Sequence, residues 1–145
     1  MRKETAMPYD LSRFHRAQAR DYDAALGEIR AGRKRSHWMW YIFPQIRGLG
    51  YSSPAQFYAI EDLGEARAYL ADPVLGPRLK EITGALLELS GSDPTAVLGY
   101  PDDLKLRSCM TLFELADPDC SLFPAVLDKF YSGQRDGRTL DLAGI

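Results

Sequence analysis

Five apolar residues, Leu75, Leu79, Ile82, Leu86 and Leu89, recur at intervals of three and four and stop just before Gly91. That spacing places them on one side of an α-helix. Comparable stripes recur along the chain, separated by short turns built on glycine and proline, and no convincing set of strands exists to form a sheet. A helix with one apolar face must bury it against another helix, so the pattern predicts an all-α fold of about seven helices packed layer on layer.

The first helix is expected from about Leu11 to Ala31, capped by Asp10 or Ser12. Its inner face comprises Phe14, Gln18, Tyr22, Ala25, Leu26 and Ile29, and Gly32 ends it. Ser36 to Phe43 is the ambiguous stretch. Its aromatic content suits a strand, but a lone strand leaves its backbone unsatisfied, so a short buried helix or a buried extended segment is expected. Ser53-Pro54 reads as N-cap and first position of a short helix. Asp62-x-x-Glu65 resembles a capping box opening a helix whose inner face is Leu63, Ala66 and Leu70. Further helices are expected from Asp72-Pro73, Asp93-Pro94, Pro101 and Ser121, with one last turn over 136–143.

A chain of 145 residues is the length of one domain and can build a core without disulfides. Residues 10–145 are expected to form it, with residues 1–9 as a mobile tail. Eighteen basic and 20 acidic side chains leave a net charge of −2, so no global attraction to nucleic acid or membrane arises. Two cysteines, Cys109 and Cys120, are too few for a disulfide framework. No apolar run is long enough to cross a bilayer and no signal peptide is evident, which points to the cytoplasm.

Four segments could carry chemistry. In Arg33-Lys34-Arg35-Ser36-His37-Trp38-Met39-Trp40, cations that suit phosphate precede aromatic rings that suit stacking. The same residues also fit helix-end cations and core aromatics. In Leu104 to Phe113, Leu106, Cys109, Met110 and Phe113 share a face, while Leu104, Arg107, Ser108, Thr111 and Leu115 share the opposite one; a helix apolar nearly all round is expected to be central. A central helix would bury Arg107, and a buried guanidinium needs an acid or an anionic ligand. Lys105 and Ser108 flank it. Arg47 to Pro54 reads as an ordinary glycine turn rather than a dinucleotide fingerprint. At the C-terminal end, Asp128 and Lys129 are expected in solvent, while Asp136, past the Gly133 stop, is free to point into a cleft. His15 and His37 are the only histidines, so no metal motif exists, and no cofactor motif is present.

The runs Gly32 to Trp40, Phe43-Pro44-Gln45, Gly48-Leu49-Gly50 and Lys105 to Phe113, with Ala66 to Leu70 and Val74 to Leu79, resemble the bacterial family known as domain of unknown function eighteen-ten. Some of its members carry the label calpastatin. The resemblance covers about residues 11–142. It implies one all-helical domain and no established activity. Cys109 stands where that family more often has serine, which argues against a nucleophilic cysteine. A second resemblance, through the Ala17-Gln18 step and a later cationic helix, is to the NADAR group, helical proteins tied to ADP-ribose-like compounds and N-glycosidic bond cleavage.

These readings converge on a phosphate-bearing, nucleotide-like ligand held by Arg33, Lys34, Lys105, Arg107 and Ser108, with His37, Trp38 and Trp40 at its ring. Any cleavage of an N-glycosidic bond would draw on a carboxylate, with Glu28 and Asp136 as candidates. The alternative is a non-catalytic module that binds nucleic acid, through Arg30 to Arg35, or a protein partner.

Overall fold

The computed structural model describes residues 9–144. Most of the expected tail, residues 1–8, lies outside the described residues. Tyr9 is held in place: its hydroxyl donates to Asp62 Oδ1 at 2.8 Å.

Nine helices occur among the described residues: α1 (Ser12–Arg30), α2 (Met39–Ile42), α3 (Ser53–Phe57), α4 (Leu63–Ala71), α5 (Leu75–Leu87), α6 (Pro94–Leu98), α7 (Asp102–Ala116), α8 (Leu122–Tyr131) and α9 (Gly137–Leu142). The fold is all-α. The number exceeds the expected seven because four of the helices, α2, α3, α6 and α9, are only four to six residues long. The sole extended pairing among the described residues is an isolated parallel bridge between Ile46 and Ile60.

Helix α7 is the central element and packs against α4, α6, α8 and α9. Leu106, Cys109, Met110, Leu112 and Phe113 are fully buried along it. Phe113 lies between Tyr69 of α4 and Phe123 of α8, at 5.3 and 6.0 Å between ring centroids. Full burial also pushes the Cys109 thiol well above its ordinary pKa, which removes it as a nucleophile. All six residues of the expected inner face of α1 are buried, and the helix packs against α5 and α2. From that face, the Gln18 side-chain amide donates to the Tyr41 carbonyl and the Tyr69 hydroxyl oxygen, both at 2.8 Å. This link fixes the aromatic segment around α2 to the core.

Some local expectations shift. Asp62 caps α4 by accepting from Glu65 N–H, but Glu65 Oε1 returns to the N–H of Glu61 rather than that of Asp62. The buried face of α4 is Glu65, Ala66 and Tyr69, with Leu63 and Leu70 only half-buried. The reason is Arg13, whose guanidinium reaches Glu65 Oε2 at 3.3 Å and the Ala59 carbonyl at 2.8 Å, so burying the carboxylate leaves it paired. The N-cap of α3 is Ser52, one residue earlier than expected. Lys129 is not simply solvated, because its ammonium donates to the Leu89 carbonyl just past the end of α5.

Candidate functional site

The tryptophan segment is positioned by one carboxylate. Beyond α1 the chain turns at Gly32, whose φ of 81° is costly for any residue with a Cβ. It then passes back along the helix end, and Glu28 collects it. Glu28 Oε1 accepts from the N–H groups of Arg35 and Ser36 and from the indole N–H of Trp38, at 2.7, 3.0 and 2.8 Å. Its Oε2 accepts from the Ser36 hydroxyl at 2.6 Å. Partial burial pushes this carboxyl up, but donation from the Ser36 hydroxyl, the Arg35 amide, the Trp38 indole and the Ser36 amide outweighs it. The result is a pKa lowered to about 2. Glu28 is thus the anchor of this loop and has no idle oxygen for general acid–base work. Trp38 is 1% exposed, so its ring belongs to the core and offers no face for stacking.

Two residues on, Trp40 is only half-buried, and here distant parts of the chain meet. Lys105, from the first turns of α7, places its ammonium 3.6 Å from the centre of the Trp40 ring. That distance is a close cation–π contact. Lys105 also pairs with Asp102 Oδ1 at 3.2 Å, while Lys34 reaches the other oxygen of the same carboxylate at 3.0 Å. The two ammonium groups and one carboxylate leave one net positive charge in a half-enclosed hollow of about 190 Å³, also lined by His37 and Met39. Four of the expected ligand residues, Lys34, His37, Trp40 and Lys105, therefore line one site, with the buried Trp38 behind them. Asp102 joins them unforeseen, although it stands three residues before Lys105 on a helix, a spacing that brings opposite charges together. Trp40 departs from its expected role, since the near face of its ring is covered by Lys105.

Arg33 lines an adjoining hollow of about 360 Å³ with Lys34 and the α6 segment Thr95–Gly99. The remaining candidates gather elsewhere. Asp136 Oδ2 accepts from the hydroxyls of Ser108, at 2.8 Å, and Thr139, and the Asp136 N–H donates to Thr111 Oγ1 at 3.0 Å. Arg107 stands at 4.0 Å from Asp136 Oδ1 and is half-buried rather than enclosed. This group ties α9 to α7, and none of Arg107, Ser108 or Asp136 lines the Lys34–Lys105 hollow. The glycine turn is held by surface contacts of its own: Arg47 pairs with Glu61 at 2.8 Å, and the Gly48 carbonyl accepts from Arg138 at 3.1 Å. No cluster of three or more metal-ligating side chains occurs among the described residues, and no described helix is long and apolar enough to cross a membrane.

A family model described as protein of unknown function (DUF1810) matches residues 8–143. The chain belongs to this family. A conserved hypothetical protein from Mycobacterium tuberculosis, known from a crystal structure, is 50% identical to this DUF1810 chain, with a TM-score of 0.93. The match covers 96% of this chain and 99% of the mycobacterial one, so the two share their fold over nearly their whole length. No curated protein matches the chain.

Proposed function

We propose that this domain binds a small, phosphate-bearing, nucleotide-like ligand in the hollow between the Lys34–Trp40 segment and the first turns of α7. One observation carries the reading. Lys34 and Lys105, 71 positions apart in the sequence, converge on a single carboxylate beside an indole in a concave site. A carboxylate shared by two ammonium groups leaves them undercompensated, and a phosphate supplies the missing negative charge. Holding Lys105 over Trp40 limits its rotamers, so less entropy is lost when an anion arrives.

The proposal is binding without bond cleavage. Glu28 is saturated by internal donors, and Asp136 is engaged with Ser108 and Thr139 away from the hollow. We place the activity in the cytoplasm, a setting that suits two unpaired cysteines.

Titration of the full chain with ribose 5-phosphate, followed calorimetrically, tests the reading through variants of opposite sign. Lys105→Ala is expected to weaken binding by about tenfold or more, the scale of one charge-assisted contact. Asp102→Asn is expected to tighten it, because the competing carboxylate is gone. Equal affinity in wild type and both variants, or no binding at low salt, overturns the proposal. If single-stranded RNA binds instead, with affinity falling steeply as salt rises, the exposed Arg30, Arg33 and Arg35 would carry the nucleic-acid alternative.

A further inference from the structure

The hollow around Lys34 and Lys105 is too small for a whole nucleotide-like ligand. Its volume is about 190 Å³, whereas sites that enclose such molecules occupy roughly 300–1,000 Å³. The rest of the ligand must lie outside it, and the surface offers one direction. The second hollow, of about 360 Å³, shares Lys34 with the first and brings in Arg33. A third, of about 300 Å³, shares Ala96 and Val97 with the second. It lies between the end of α1, the α5–α6 loop and α6. The first and second hollows thus meet at Lys34, and the second and third along α6; the Lys34 N–H, donating to the Val97 carbonyl at 2.7 Å, fixes the loop to that helix.

The chemistry changes along this track. The near end has Lys34 and Lys105, the middle has the exposed guanidinium of Arg33, and the far end has Leu89, Ala96 and Val97 as an apolar wall. Gly32 and Gly91 line that far hollow without side chains, which leaves room for a flat group to approach the backbone. Arg30 and Asp93 at its rim offer one donor group and one acceptor group.

We infer that the ligand is elongated and two-ended: a terminal phosphate sits over Lys34 and Lys105, a second phosphate meets Arg33, and a heteroaromatic ring, carried on its own sugar, occupies the hollow beside Leu89. The class is a nucleoside diphosphate. This rests on the phosphate reading of the first hollow and adds the direction and the far end.

The test is titration of the full chain with ribose 5-phosphate, inorganic pyrophosphate and ADP. ADP is expected to bind at least about tenfold more tightly than ribose 5-phosphate, the scale of burying one ring. Ala96→Trp fills the far hollow from an exposed position on α6, and is expected to remove that advantage while ribose 5-phosphate binds unchanged. Gly91→Trp is the second variant, because a Cβ at Gly91 meets nothing within 4 Å and its backbone needs no glycine. Equal affinity of the wild type for ADP and ribose 5-phosphate overturns the two-ended ligand and leaves the first hollow standing. ADP binding that is indifferent to both tryptophans overturns the assigned direction. Failure of all three probes to bind overturns this inference together with the reading beneath it.

Discussion

Glu28→Ala is expected to destabilise the fold by about 3 kcal/mol, and Glu28→Gln by about 1 kcal/mol. The difference follows from the donors. Alanine leaves the buried indole N–H of Trp38 without an acceptor and releases Arg35 and Ser36 as well. Glutamine keeps one carbonyl oxygen where Glu28 Oε1 gathers three of the four donors, and its amide can donate to the Ser36 oxygen. A loss of this size lowers the melting temperature by roughly 10 °C for a domain of this length. Urea unfolding should show the midpoint falling with an unchanged slope. The linkage has a definite sign. Glu28 has a lowered pKa in the folded protein, so its contribution is fully present above the ordinary glutamate value of about 4.3. It is lost as pH falls from there through about 2. Wild type should therefore lose more stability than Glu28→Gln across that window, while the two run parallel between pH 5 and 8 as far as this group is concerned. An alanine variant as stable as wild type would show that Glu28 does not anchor the loop. A glutamine variant that is stable but no longer binds ribose 5-phosphate would place the carboxylate in the site after all.

That dual identity of Glu28, catalytic candidate by sequence and loop anchor by structure, shows which features the sequence carries. Period and burial are local properties, so the inner face of α1 is legible apart from Ala17, as are Leu75, Leu79, Ile82 and Leu86 of α5. Capping is local too: Asp62 and Asp93 cap α4 and α6 as expected, whereas the N-caps of α1 and α5 are Leu11 and Val74, with Asp10 and Asp72 accepting from N–H groups of the adjoining turns. A glutamate on the polar side of a helix gives no such sign. Its partners stand seven to ten residues on, across a turn whose path is set by Gly32 and by the Lys34–Val97 contact. The aromatic run at 38–43 is ambiguous in sequence for a different reason. Its side chains favour extended backbone, but a short helix lets Tyr41, Ile42 and Phe43 find acceptors at Trp38 and Met39 without a partner strand. At the site, both lysines and Trp40 were legible as types able to meet an anion. Arg107 joins them in sequence because a central helix is expected to bury its guanidinium, and Lys105 stands beside it on that helix. Two positions along a helix turn a side chain by roughly 200°, so neighbours of this kind face opposite ways.

The second large effect sets helix propensity against packing. Gly76→Ala is expected to destabilise the protein by about 2–4 kcal/mol, although alanine in a helix is favoured over glycine by about 1 kcal/mol. The turn at Asp72–Val74 folds α5 back on α4, and this brings the Leu70 carbonyl onto Gly76. A Cβ there would lie 2.1 Å from the Leu70 oxygen and 2.9 Å from its carbon. Those are backbone atoms near the end of a helix, so relief requires α4 and α5 to move apart, and both pack against one another and the core. Gly84 provides the internal control. It lies later in the same helix, and a Cβ there meets nothing within 4 Å. With no clash, only propensity and the entropy of the unfolded chain remain, so Gly84→Ala should stabilise by about 0.5–1 kcal/mol. Thermal melts of the two variants should thus move in opposite directions from wild type, down by roughly 10 °C for Gly76→Ala and up by a few degrees for Gly84→Ala. If both rose together, α4 and α5 would not be in the close contact described.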